Sequence, residues 1–281
     1  METFQLSEKL LKKIANLILA KKNTPLKKIV KDIHFADMAE IINELNEDQG
    51  VYLIKLFDSE KTSEILTELD EDVREKILKV LSVKEIADEI EELDSDDAAD
   101  ILGELSEKRK EEVISEISDN DLADDLKELL SYKEDSAGGL MAKELVQANE
   151  NWSVTKCLKE IKKQGENVTR VHSIYVVDDK QKLIGRLSLK DLITSPAKNL
   201  IKDIYIPKVD SVNVFEDGEE VAKIMSKYDL EAIPVVDNKK QLVGRITIDD
   251  IIDFIKEEAE EDYLLAAGVQ GDVEADDSIL E

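Results

Sequence analysis

IYVVDDKQKLIGRLSLKDLI, residues 174–193, returns at residues 233–252 as IPVVDNKKQLVGRITIDDII, at a constant offset of 59 with no gap. In each copy two apolar runs rich in β-branched residues flank an aspartate-led turn, the pattern of a hairpin. A helix follows, starting at Asp191 in the first copy and Asp249 in the second. Working outward, each copy has a leading strand and a helix before it. These are Leu145–Ala148 and Val154–Gln164 in the first copy, and SVNVF (211–215) and Glu219–Lys227 in the second. A duplicated unit of this kind predicts a two-fold α/β module with a cleft between its halves.

Upstream the pattern changes. From Ala36 to Leu130 there is no proline, and the only glycines are Gly50 and Gly103. Apolar residues recur at helical spacing and repeat every 24 residues: Leu45, Leu69, Leu93 and Ile117; Ile54, Leu78, Leu102 and Leu126; Phe57, Leu81, Leu105 and Leu129. Asn46, Asp70, Asp94 and Ser118 share one register, where each can cap the next helix. Such repeats bury their apolar faces only by stacking, which predicts a superhelical solenoid of about eight to ten short helices. The fold class is therefore α plus α/β, an N-terminal helical repeat followed by a tandem βαββα pair and a C-terminal connecting helix. The predicted boundaries are 1–131, 132–198, 199–256 and 257–281. In the joint SYKEDSAGGLMAKELV (131–146), Gly138 and Gly139 provide positive φ or close backbone approach.

The 281 residues carry a net charge of −28, from 66 acidic and 38 basic side chains. That balance argues against nucleic acid, whose affinity comes from neutralising phosphates with Lys and Arg. The single cysteine, Cys157, excludes an intrachain disulfide, fits a reducing cytosolic environment and sits at helical spacing among core positions. No apolar run is long enough to span a bilayer. The N-terminal stretch METFQLSEKLLKKIANLILA reads as an amphipathic helix, and up to Phe35 eight lysines face only Glu2, Glu8 and Asp32. Either it packs on the next helices or it touches a membrane surface. His34 and His172 read as structural, and no nucleophile has a paired base, which argues against an enzyme.

Acid concentrates between Lys84 and Asp135, with 21 acidic against six basic residues. This is either a solvated face or a cation site. Asp96 and Asp100, four apart, share a helix face near its start. Carboxylates crowded there repel one another and are relieved by a hard cation such as Mg²⁺, which needs only one or two of them. On the last helix Asp250 and Asp253 are three apart, and Glu258, Glu261 and Asp262 are three and four apart, so each group shares a face.

The two copies, with GRLSLKD and GRITIDD matching a G-x-x-S/T-x-x-D pattern, resemble a tandem pair of CBS domains. That resemblance implies an adenosine nucleotide such as ATP in the cleft. The glycine would admit a phosphate, Ser188 or Thr247 would bond it, and Asp191 or Asp250 would hold ribose hydroxyls, with Arg186 and Arg245 alongside. The alternative is that these residues only stabilise the strand-to-helix junctions.

The order of parts is more specific: an acidic helical repeat, the joint EDSAGGLM, a CBS pair and an acidic terminal helix. It resembles the cytosolic region of the MgtE magnesium transporter or channel family. That resemblance implies a homodimer paired through the CBS domains, with Mg²⁺ sensed between the helical domain, the CBS pair and the connecting helix. It carries over as metal-site positions Glu64, Asp96 and Asp100 in the repeat and Gly139, through its carbonyl, in the joint. In the second CBS copy the positions are Glu219, Ser226 (backbone only) and Asp229. On the connecting helix they are Asp250, Asp253, Glu258, Glu261 and Asp262. The family's transmembrane pore domain is not in the sequence, so a truncated piece of a membrane protein, this region lying in the cytoplasm, is the expectation. A nucleotide-binding CBS module acting on a partner protein, or a plain interaction scaffold, are the competing readings.

Overall fold

The structure, a computed structural model, describes residues 4–166, 168 and 170–266. The chain divides into two compact units, Met1–Leu130 and Ser131–Glu281.

Among the described residues the first unit holds ten helices: α1 Glu8–Leu19, α2 Asn23–Val30, α3 Phe35–Asn43, α4 Glu47–Ile54, α5 Ser59–Thr67, α6 Glu71–Val80, α7 Val83–Ile90, α8 Ser95–Gly103, α9 Glu107–Glu116 and α10 Asn120–Leu129. The 24-residue period is two half-periods of 12: the helices from α3 to α9 are preceded by caps at His34, Asn46, Asp58, Asp70, Ser82, Asp94 and Ser106. Alternate helices stack. α3 packs on α5, α5 on α7 and α7 on α9, while α4 packs on α6 and α8 on α10. Ile54, Leu78, Leu102 and Leu126 are each at most 2% exposed. Burying each such side chain contributes about 1.5–3 kcal/mol, which a single helix pair could not achieve.

The caps follow the expected chemistry with two corrections, the first being that Asp70, at the N-cap position of α6, makes no side-chain cap hydrogen bond. Asn46 accepts from Gln49 N at 3.1 Å. Ser82 and Glu85 form a reciprocal capping box, and the Ser82 backbone N–H, followed by Lys55, holds the Glu85 carboxyl down at about 2. The expected cap Ser118 is not one. Asp119 caps α10, accepting from Asp121 N and Leu122 N at 2.9 and 3.3 Å. The connection takes an extra residue because Ile117 stays in the buried register, 6% exposed, and Ser118 N donates to the Glu91 carboxylate. The helix C-termini are closed by cations, as their exposed carbonyls favour. Lys61 reaches Val30 O and Ile33 O, Arg74 reaches Leu66 O and Leu69 O, and Arg109 reaches Leu78 O.

The second unit holds two three-stranded sheets of the same design. β1 (Val146–Asn149) pairs parallel with β2 (Ile174–Val177), which pairs antiparallel with β3 (Leu183–Leu187). β4 (Val212–Asn213), β5 (Ala232–Val236) and β6 (Leu242–Thr247) repeat this order. The bulges, at Val176/Val177 and Val235/Val236, are 59 apart. So are the left-handed turn residues, Gln181 at φ 61° and Lys240 at φ 65°. In each turn an aspartate ties down two backbone N–H groups: Asp178 those of Lys180 and Lys182, Asp237 those of Lys239 and Gln241. The two tips pair with each other through Leu183 N to Lys240 O and Leu242 N to Gln181 O, both 3.0 Å. Helices α11 (Val154–Gln164), α12 (Leu189–Thr194), α13 (Gly218–Tyr228) and α14 (Ile248–Ala266) complete the unit. α12 and α14 begin one or two residues earlier than expected, and SVNVF is a strand over only two residues. Cys157 is fully buried in the first core with Val154, Ile161, Ile174 and Val176, and burial pushes its thiol up to about 11.

The halves exchange edges. The segment that precedes the second copy joins the first, with Arg186 N to Ile206 O at 3.0 Å and Ile206 N to Arg186 O at 2.8 Å. The segment that precedes the first copy joins the second, with Arg245 N to Ala142 O at 2.9 Å and Ala142 N to Arg245 O at 2.8 Å. The joint is held the same way: Ala137 N donates to Glu216 O, Gly138 N to Val214 O, and Gly218 N to Asp135 O. It serves close approach rather than positive φ. A Cβ on Gly139 would lie 2.3 Å from Lys133 O, and one on Gly138 2.5 Å from the Tyr132 ring.

Candidate functional site

The edge exchange corrects the phosphate reading of the two motif glycines. A Cβ on Gly185 would lie 2.3 Å from Ile206 O, and one on Gly244 2.8 Å from Ala142 O. The space over each glycine is filled by the chain's own backbone, so these glycines admit a neighbouring strand. The other motif residues form junction caps. Ser188 Oγ accepts from Asp191 N at 3.0 Å and donates to Asp191 Oδ2 at 2.7 Å. Thr247 N and Oγ1 donate to Asp250 Oδ2 at 2.9 and 2.5 Å. Arg186 is exposed, whereas Arg245 is 7% exposed, with Nε donating to Glu144 O at 2.6 Å.

A residue outside the motif stands near these arginines. Tyr175 on β2 is 2% exposed, its hydroxyl has no hydrogen-bond partner among the described residues, and burial pushes it up to about 12 against the pull of Arg245 and Arg186. Periodicity gave no hint of it, because a tyrosine in an apolar strand reads as core. Nor is His172 engaged through Nδ1, which lies 3.8 Å from the Glu231 carboxylate and has no hydrogen-bond partner among the described residues.

The acidic positions fall into separate groups. In the first unit Glu64 is exposed on α5, while Asp96 is half-buried and Asp100 exposed on α8. Asp96 lies in the first turn of α8 and accepts from Asp97 N at 3.0 Å. There the free N–H groups and the helix dipole favour negative charge. In the second unit α13 packs on α14, because Gly218 lets the Phe254 ring approach to within 2.7 Å of where a Cβ would stand. The two helices frame an open groove of about 550 Å³ lined by Glu219, Lys223, Ser226, Lys227, Phe254, Ile255 and Glu258. Glu219 and Ser226 on α13 thus share one groove with Glu258 on α14, more than 30 residues on. Lys223 Nζ lies 3.2 Å from Glu219 and 2.8 Å from Glu220.

Asp229 ends α13 in the left-handed conformation, φ 51°, which a non-glycine residue adopts at a cost of about 1 kcal/mol or more. Asp253 is held 2.6 Å from Lys256 Nζ, and Asp250 is committed to Thr247. Gly139 lies in the joint, its N–H donating to Ser136 O at 2.9 Å. The backbones of Glu261 and Asp262 continue α14, but their side chains lie outside the described residues.

Among the described residues no three His, Cys, Asp or Glu side chains come together in a way that could hold a metal ion. Among the described residues no helix is long and apolar enough to cross a membrane.

The sequence profile of the MgtE intracellular N domain matches residues 33–135, and that of the CBS domain matches residues 137–198 and 201–257. The magnesium transporter MgtE of Thermus thermophilus is 42% identical over 131 residues, 47% of this chain and 29% of the relative. That of Enterococcus faecalis is 40% identical over 140 residues, 50% of this chain and 31% of the relative. These matches span about a third of the relatives' length. Among solved structures, the cytosolic domain of the Mg²⁺ channel MgtE in complex with ATP is 30% identical with a TM-score of 0.80, over 87% of this chain and 99% of that one. The soluble part of a magnesium transporter is 29% identical with a TM-score of 0.76, over 90% and 99%. With an MgtE N domain followed by two CBS domains, the chain belongs to the MgtE family.

Proposed function

We propose that this chain is the Mg²⁺-sensing regulatory region of a magnesium transporter and has no enzymatic role. In this reading it lies in the cytoplasm, attached to a transmembrane pore domain of the same protein, and works as a homodimer paired through its CBS domains. Mg²⁺ supplies positive charge between acidic faces that otherwise repel. Glu64, Asp96 and Asp100 form the first unit's face. Glu219, Ser226, Asp229 and the α14 carboxylates, with the Gly139 carbonyl, form the second's. When the ion is plentiful the faces are held together and the pore is closed; when it falls they separate. The observation that carries this reading is the α13/α14 groove, which gathers Glu219, Ser226 and Glu258 from two helices. A bistable element of this kind needs an ion that binds one state better than the other.

The test is small-angle scattering of the chain with and without millimolar-range Mg²⁺. Compaction by Mg²⁺ is the expected result. An unchanged radius of gyration together with unchanged protease sensitivity near Gly138 would overturn the proposal.

An adenosine nucleotide such as ATP is the second ligand of this reading, favoured by the partnerless Tyr175 hydroxyl near Arg186 and Arg245. Titration calorimetry with ATP and AMP tests it. A nucleotide response without any Mg²⁺ response would favour a nucleotide-controlled module acting on a partner.

A further inference from the structure

The charge of this chain is segregated. Residues 1–31 hold eight lysines against Glu2 and Glu8, a surplus of six positive charges, so the remainder carries −34 of the net −28. All eight lysines (residues 9, 12, 13, 21, 22, 27, 28 and 31) are exposed. Five lie on α1 and α2 and Lys21, Lys22 and Lys31 beside their ends, at one end of the solenoid, where α1 packs on α2 and α4 through Ile14 and Ile18. The apolar face of α1 is therefore already used in packing, and the lysines are not needed for it. Lys9, Lys12, Lys13 and Lys22 surround a shallow depression of about 720 Å³ floored by Leu17 and Ala20, and the nearby Leu19 is 72% exposed. Glu8, paired with Lys12 at 2.8 Å, is the one acid on its rim.

We propose that this basic end of the first unit docks on an anionic phospholipid surface. Three features favour a lipid bilayer over other polyanions. The patch is lysine without arginine and without interleaved aromatics, so it offers point charges and no stacking platform for bases. Exposed Leu19 and the lysine stems give it the mixed apolar and cationic character of a membrane interface. The acidic remainder of the unit lies along the stack from this end: at roughly 8–10 Å per packed helix, α9 is roughly 25–30 Å from α3. That is more than twice the Debye length at physiological salt, about 8 Å. Exposed acids begin on the adjoining helices, Glu40 on α3 and Glu47 and Asp48 on α4, but a planar surface touched at the tip stays clear of the densest acid, whereas a long polyanion running past it would meet that flank.

The experiment is vesicle flotation of the whole chain in chelator, so that no divalent ion can bridge acid to lipid. The vesicles are pure phosphatidylcholine, or phosphatidylcholine with about 30 mol % phosphatidylserine, at about 0.1 M and about 0.5 M salt. The expected result is partition to the anionic vesicles at low salt, loss at high salt and none to the neutral vesicles. The quadruple variant Lys9→Gln, Lys12→Gln, Lys13→Gln, Lys22→Gln is expected to partition on the order of a thousandfold less. These side chains are exposed, and unchanged circular dichroism verifies that the variant folds. No partition, equal partition to neutral vesicles, or partition unaffected by the four substitutions would each overturn the proposal. So would salt-sensitive self-association without lipid binding, which would assign the patch to the acidic end of a second copy. Because the assay excludes Mg²⁺, its failure is separate from failure of the ion-sensing reading.

Discussion

Glu89 occupies a core position of the solenoid, and replacing it should stabilise the first unit in a pH-dependent way. In the register 41, 65, 89, 113 the chain carries Ile41, Ile65, Glu89 and Val113, and the three aliphatic residues are 0% exposed. α7, which bears Glu89, packs on both α5 and α9, so the carboxyl lies between two aliphatic layers. Its Oε2 is buried with no hydrogen-bond partner among the described residues. Burial, then the negative charges of Asp88, Glu92, Glu85 and Asp58, push the carboxyl up to about 8. The folded chain thus keeps a proton that the unfolded chain releases near pH 4.5. Stability from this group is highest below that value, falls as pH rises towards about 8, and is flat beyond. At pH 7 the full shift would correspond to about 3.4 kcal/mol. Because the side chain is only half-buried, about 2 kcal/mol is a fairer figure. Glu89→Gln should remove that pH dependence, and Glu89→Leu should add the burial of an aliphatic side chain, a further 1 kcal/mol or so. Chemical denaturation at pH 5.5 and at pH 8 (about one unit above the unfolded carboxyl value and at the folded one) checks this. Far-UV circular dichroism follows the helical unit. The only tryptophan, Trp152, is in the second unit and serves as an internal control. If wild type and Glu89→Gln lose stability equally between the two pH values, the placement of this carboxyl in the stack is wrong.

Arg74→Met should destabilise the first unit by about 3 kcal/mol or more, because Glu104 is left buried without the guanidinium that sits 2.5 Å away. The double variant Arg74→Met, Glu104→Leu should recover most of that loss in the same denaturation assay. Gly139→Ala should destabilise the second unit by about 2–4 kcal/mol, since its Cβ would meet Lys133 O at 2.3 Å, backbone that cannot rotate away. Trp152 fluorescence during unfolding reports it, and an unshifted midpoint would contradict the joint's geometry. Asp100→Ala combined with Asp253→Ala should weaken Mg²⁺-driven compaction in scattering; compaction left intact would remove both residues from the proposed ion faces.

Local pattern revealed the elements because each repeats a physical constraint. Leu78 and Leu102 must fall on one helix face to be buried, and Val176 and Val235 must fall in a strand flanked by an aspartate turn. Stereochemistry made the Asn46 cap readable in the same way. Ser118 was misread because a cap depends on where the preceding residue is buried and on who takes its N–H. Here that partner is Glu91, 27 residues away. Gly185 and Gly244 were misread for a related reason. A motif says that close approach is needed, but not what approaches, and the approaching backbone comes from the segment preceding the other copy.

Sequence alone determined the 59-residue duplication, the 24-residue helical period, the segregation of charge and the family, because each is a property of spacing or composition along the chain. Tertiary structure decided which carboxylates are already engaged: Asp250 with Thr247, Asp253 with Lys256 and Glu104 with Arg74. It decided that α13 and α14 bring Glu219, Ser226 and Glu258 to one groove, and that Tyr175 is left with a buried, partnerless hydroxyl. Those outcomes depend on through-space distance and desolvation. Neither is encoded at any single position, and both are set only when separate helices and strands pack together.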